Sequence, residues 1–91
     1  MRSEVMWFAN KMEKKLQLME VIHQPRWTAT SGRFLLNRLL DEAEELVDAI
    51  EESYHLHAAG YKPVLDSVIS ECIDVANFAM MIAGKARRQR F

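Results

Sequence analysis

Apolar residues recur along this chain at steps of three and four, the period of an amphipathic α-helix. Val5, Phe8, Met12, Leu16 and Met19 give a first helix, over residues 4–22, one apolar face, with Ser3 placed to cap it. Trp7, Leu18 and Ile22 fall off that face, so this helix is expected to touch neighbours on two sides. Pro25, Thr28, Thr30, Ser31 and Gly32 mark residues 23–32 as a connector. A second helix over 33–57 carries the wide stripe Leu35, Leu36, Leu39, Leu40, Ala43, Leu46, Val47 and Ile50. Gly60 interrupts the pattern in a turn over 58–62. Pro63 suits the first position of a third helix, where its missing N–H is no loss. That helix is apolar around much of its circumference through Ala83, and should be the most buried element. The basic tail, residues 85–91, is expected to fray.

With 91 residues there is room for one domain, spanning 1–91. Three glycines and two prolines leave little material for the turns of a β-sandwich or barrel. The lone cysteine excludes an internal disulfide framework and a Cys-based zinc cluster. Uninterrupted apolar runs are too short to span a bilayer, and Met1-Arg2-Ser3-Glu4 does not open a signal peptide, so a cytoplasmic location is expected. A formal net charge of −1 argues against bulk attraction to nucleic acid or membrane. So short a chain buries a modest share of its surface. With apolar residues on two sides of the first helix and most sides of the third, it should not close a bundle alone. The expected fold is all-α: an antiparallel helical hairpin plus an N-terminal helix, completed as a four-helix-type bundle by homo-oligomerisation.

Charge changes this picture in the second helix. Asp41, Glu42, Glu44, Glu45, Asp48, Glu51 and Glu52 follow one another with no Lys or Arg between Arg38 and Lys62. Like charges three or four residues apart each destabilise a helix by about a few tenths of a kcal/mol. A solvated face accounts for Glu44, Asp48, Glu51 and Glu52. At about 100° per residue, Glu42 instead falls at the margin of the apolar stripe, with Glu45 about 60° further out and Arg38 close to both. On the third helix Glu71 projects into the arc of Val64, Val68, Val75, Phe78 and Ile82, and Asp74 lies at its margin near Ser67, Asn77 and Lys85. A carboxylate among apolar side chains must be protonated, paired or bound to a metal. A hairpin turning near residues 58–61 brings Glu42-x-x-Glu45 level with Glu71-x-x-Asp74. Four converging carboxylates supply oxygen ligands for a hard cation, Mg²⁺ with Mn²⁺ as a partial substitute. The competing reading is an acidic hairpin stitched to Arg38 and Lys85 by ion pairs.

At these residues the chain resembles the MazG-like, all-α nucleoside triphosphate pyrophosphohydrolase superfamily, which includes dimeric dUTPases and phosphoribosyl-ATP pyrophosphohydrolases. The family signature is Glu-x-x-Glu, a variable gap, then Glu-x-x-Asp. Leu-Asp-Glu42-Ala-Glu-Glu45-Leu matches the first half and Glu71-Cys-Ile-Asp74-Val-Ala-Asn77 the second, so the pattern covers about half the chain. The resemblance implies cleavage of a (d)NTP between its α and β phosphates, giving (d)NMP and pyrophosphate. It implies Mg²⁺ held by Glu42, Glu45, Glu71 and Asp74, with Glu42 or Glu45 taking the proton of the attacking water. Phosphoribosyl-ATP pyrophosphohydrolases tend to carry an aromatic-His pair soon after the Asp, where this chain has Val75-Ala76-Asn77. A reading from another class is a non-catalytic helical module whose acidic hairpin binds metal or a basic partner.

Four further residues are candidates for the substrate. Asn77, one turn beyond Asp74, can hydrogen-bond a base or sugar, or simply face solvent. Lys85 and Arg38 suit phosphates, or serve as ion-pair partners of the carboxylates. Trp27 can stack on a base, or cap the core from the connector. His55 and His57 point to opposite sides of a helix end and lack metal-ligand spacing, and Cys72 projects into the apolar arc.

Overall fold

The computed structural model describes residues 1–23, 30–62 and 65–88. These residues form three α-helices, α1 (Ser3–His23), α2 (Gly32–Ala58) and α3 (Leu65–Arg87), with no strand among them. α3 is the shared element: it runs against α2 along most of the hairpin and meets α1 more sparingly.

The helix ends follow local chemistry. α1 begins at Ser3 itself, one residue earlier than expected, because the Met6 N–H already donates to the Arg2 carbonyl at 3.1 Å. α2 starts at Gly32 because Ser31 is its N-cap: extended at φ −72° and ψ 153°, its side chain accepts from the Phe34 N–H at 3.1 Å. At the other end the Gly60 N–H donates to the His57 carbonyl at 3.1 Å and the Tyr61 N–H to the Leu56 carbonyl at 2.8 Å. These are the paired bonds of a Schellman stop, and they put Gly60 in the left-handed region at φ 87°, where a side chain would be strained. The proposed role of Pro63 lies outside the described residues.

α3 corrects the expected fraying for residues 85–87, while residues 89–91 of the basic tail lie outside the described residues. It continues through Lys85 to Arg87, and Lys85 is buried rather than solvated. Cations in a final turn also suit the helix C-terminus.

The core sits between α2 and α3. Leu35, Phe78 and Met81 form its buried cluster, with Leu16 of α1 and Leu39, Met80 and Ile82 packed around it. α3 is the most buried helix, contributing Ile73, Asn77, Phe78, Met81 and Lys85. On α1 the residues Phe8, Met12, Leu16 and Met19 of the expected face are partly covered, while Val5, Trp7 and Leu18 are exposed.

α2 proves to have two apolar faces. Leu35, Leu39 and Leu46 turn inward, whereas Leu36, Leu40, Val47 and Tyr54 stand exposed at helical spacing. The chain exposes 7021 Å², against about 5,500 Å² for a compact monomer of its mass. Its radius of gyration is 15.1 Å, against about 12 Å for a compact domain of this length.

Although its uninterrupted apolar runs are short, α3 is long and apolar enough to cross a bilayer by length and composition, since Glu71 and Asp74 interrupt the run without outweighing the apolar residues around them.

Candidate metal centre

Glu42 lies on α2 one turn beyond Arg38, on the side that meets α3. Its environment follows from that position: the residue is 5% exposed, and the Arg38 guanidinium donates to its Oε1 at 2.8 Å. Arg38 is itself held from a second direction, its guanidinium 5.4 Å from the centre of the Phe78 ring. Glu45 lies a turn further along α2 and is exposed, and Glu71 reaches in half-buried from α3. The hairpin thus brings Glu42, Glu45 and Glu71 together, one oxygen of each lying within 4.8 Å of the others.

The electrostatics are those of crowded carboxylates. Burial is the largest influence on Glu42 and raises its pKa to about 7. A hydrogen bond with Glu45 and the charges of Glu45 and Asp74 add to the rise, while Arg38 opposes it. Glu71 is raised as well, first by burial and then by the charges of Glu45 and Asp74, with Lys15 opposing. Glu42 and Glu71 therefore hold a proton more readily than isolated carboxylates do.

Two acceptors stay unsatisfied. Glu42 Oε2 and Glu71 Oε2 are both buried without a hydrogen-bond partner. Buried oxygens of this kind ordinarily find a donor or a cation. Hard oxygen donors, two of them orphaned, on side chains that already converge are a fitting donor set for a divalent ion such as Mg²⁺ or Mn²⁺.

Asp74 departs from the expected foursome. It is near enough for its charge to raise both Glu42 and Glu71. Its own Oδ1, however, is 3.2 Å from the ammonium of Lys15 on α1. The signal for Lys15 in the sequence is only its place beside Leu16 on the inward face of the first helix.

The other candidates divide. Arg38 joins the cluster through Glu42. Asn77 corrects the solvent-facing reading: it is 1% exposed, its amide donates to the Met12 carbonyl at 3.4 Å, and its Oδ1 is buried without a partner. Lys85 is buried three turns beyond Asp74 on α3, about 16 Å along the axis at the helical rise. The cation that meets Asp74 is thus Lys15. Trp27 lies outside the described residues. His55 and His57 are exposed, and Cys72 is a half-buried free thiol. A cavity of about 240 Å³ lined by Ala49, Glu52, Ser53, Leu56 and Ser67 lies nearer the turn and includes no residue of the cluster.

No protein-family model, no curated protein and no solved structure matches this chain.

Proposed function

We propose that the chain is a Mg²⁺-dependent nucleoside triphosphate pyrophosphohydrolase of the MazG-like all-α kind, cleaving (d)NTP to (d)NMP and pyrophosphate. The observation that carries this reading is the convergence of Glu42, Glu45 and Glu71 with two buried oxygens lacking partners. Glu42, Glu45 and Glu71 would hold the ion, with Asp74 as fourth ligand. When bound, Mg²⁺ supplies charge neutralisation at the phosphate oxygens, which favours attack at phosphorus and departure of pyrophosphate.

The chain's own groups supply the rest. A carboxylate raised toward neutrality is suited to accept a proton at working pH, which favours Glu42 as general base, with its neighbour Glu45 as the alternative. Arg38 fixes one Glu42 oxygen, leaving the other for the ion, and its guanidinium is also placed for a phosphate. Asn77, Lys85 and Trp27 stay candidates for base, sugar or phosphate contact. Asn77 and Lys85 would need a local rearrangement to reach a ligand, since both are buried.

The same reading includes self-association and a cytoplasmic location. The excess surface and the exposed row Leu36, Leu40, Val47 and Tyr54 favour a second copy against α2, completing a four-helix-type bundle. A carboxylate-bearing α3 serves better as a hairpin helix than as a membrane span, where ionised groups are costly.

A nucleotide panel assayed with and without Mg²⁺ tests the proposal. The expected result is NMP plus pyrophosphate, abolished by EDTA and partly restored by Mn²⁺. Orthophosphate as the primary product would refute the assignment. Tight Mg²⁺ binding with no turnover of any nucleotide, phosphoribosyl-ATP included, would favour a non-catalytic module instead.

A further inference from the structure

Two cations face the carboxylates, and they are held differently. Arg38 is pinned at both ends, by its bond to Glu42 at 2.8 Å and by the Phe78 ring beneath it. Lys15 comes from α1, the more sparingly attached helix, and meets Asp74 across the helix interface at 3.2 Å. The two side chains are 34% and 20% exposed, so the pair borders solvent rather than sitting in the core. A lysine ammonium is a point charge on a flexible stem, whereas guanidinium is a rigid fork. The Arg38 side chain is itself 43% exposed, but its carboxylate partner is 7% exposed and closer, so Lys15 holds the looser pair and is the cation poised to change partner.

Its position gives that freedom a consequence. Lys15 lowers the proton affinity of Glu71 as well as binding Asp74, so its charge reaches the cluster itself. A divalent ion taking an Asp74 oxygen would stand close to the ammonium, and like charges at such range repel strongly. The ammonium and the divalent ion cannot both keep Asp74 at full strength.

We propose, resting on the metal-site reading above, that Lys15 is a positioning residue that competes with the divalent ion for Asp74 and, once displaced, pairs with the phosphate chain of the substrate. A long flexible stem anchored on α1 keeps the displaced ammonium at the rim of the site. A polyphosphate held against the carboxylates needs a cation there to offset the extra negative charge. Occupancy of the site is thereby linked to the α1–α3 contact.

Calorimetry on the full chain tests this with two probes, Mn²⁺ alone and inorganic tripolyphosphate with saturating Mg²⁺. Lys15→Met keeps the stem and removes the charge. It should bind Mn²⁺ about fivefold tighter and tripolyphosphate about fivefold more weakly, the size expected for losing one partly exposed ion pair. Lys15→Arg, which keeps the charge, should stay near wild type in both. A role confined to tying α1 down predicts unchanged or jointly weakened binding, and either outcome overturns the inference. Should Lys15→Met fail to fold, the ¹³Cε resonance of Lys15 in the wild type decides. It should shift with Mg²⁺ and shift again with tripolyphosphate, and an unmoved resonance overturns the inference. If wild type binds no Mn²⁺, the metal reading itself falls; if it binds and Lys15→Met matches it in both titrations, the Lys15 inference falls alone.

Discussion

The two flanks of α3 are held by different chemistry. Toward α2, Phe78 and Met81 close on Leu35 in an apolar cluster, and the carboxylates gather at the same interface. Toward α1, Leu16 adds an apolar contact, but the specific ties are polar: Asn77 to the Met12 carbonyl and Asp74 to Lys15. Apolar burial is insensitive to salt and indifferent to what occupies the site. An ion pair at the edge of solvent is sensitive to both. The hairpin is therefore the scaffold of the candidate site, and α1 is the part able to answer its occupancy.

The largest effect expected at the hairpin comes from Glu71→Gln, which keeps shape and removes one of the mutually repelling charges. Burial and the charges of Glu45 and Asp74 all disfavour ionised Glu71, with Lys15 only partly offsetting them. The apo variant should melt at or above the wild-type temperature. Wild type should gain about 2.7 kcal/mol when Mg²⁺ stands at a hundred times its dissociation constant, and the variant almost none of it. If Glu71 were a structural ion-pair partner, its loss would strand a buried cation at roughly 3–5 kcal/mol. A strongly destabilised apo variant, with no Mg²⁺ shift in wild type, would mean there is no metal site.

The α2 side of this comparison was largely legible in the sequence, and the α1 side was not. Helical periodicity and the spacing of Glu42, Glu45 and Glu71 about a turn at Gly60 sufficed to anticipate their approach, because hairpin register follows from counting residues away from the stop. The same counting places Asp74 with them but carries no signal for its partner Lys15. That pairing depends on how α1 crosses α3, which periodicity on either helix alone does not determine. Asn77 shows the same limit: a polar residue next to an apolar arc is buried or solvated according to whether another helix lies over it. Ser31 was within reach, since a serine ahead of a helical stripe is an ordinary N-cap. The second apolar face of α2 was visible as excess stripe width, although not as two separate rows.

A smaller effect belongs to pH. Glu42 has a native pKa of about 7 against an ordinary value of 4.5, raised chiefly by burial. Below 4.5 both folded and unfolded chains hold this proton, so stability is unaffected by it. Between 4.5 and about 7 the unfolded chain gives it up while the folded chain retains it, so the apo protein should lose stability as pH rises through that window. Above about 7 both forms are ionised and the loss is complete. Other groups titrate over the same range, so the useful quantity is the difference between wild type and Glu42→Gln. That difference should decline with rising pH and then level off. Mg²⁺ must displace the same proton, so its stabilisation of wild type should be greater at pH 8 than at pH 6. A Mg²⁺ shift of equal size at both values would remove Glu42 from the metal site.

The smallest expected effect separates the two flanks most directly. The Lys15–Asp74 pair is partly exposed, so it contributes about 0.2–1 kcal/mol, and molar salt should remove most of that. The Asn77 bond at 3.4 Å is long for an amide donor and adds little to compensate. Amide hydrogen exchange reads helices one by one. In 1 M NaCl, about ten times the ionic strength at which the Debye length is 10 Å, α1 amides around Met12 and Leu16 should exchange several-fold faster. Amides around Leu35 and Phe78 should stay as protected as before, because salt does not weaken apolar contacts. Saturating Mg²⁺ should separate the flanks further, protecting the hairpin through the carboxylates while removing Asp74 from Lys15 and loosening α1. If all three helices instead open with one common free energy in every condition, α1 is as firmly part of the scaffold as α2. The link between site occupancy and the α1 contact would then have no structural means of acting.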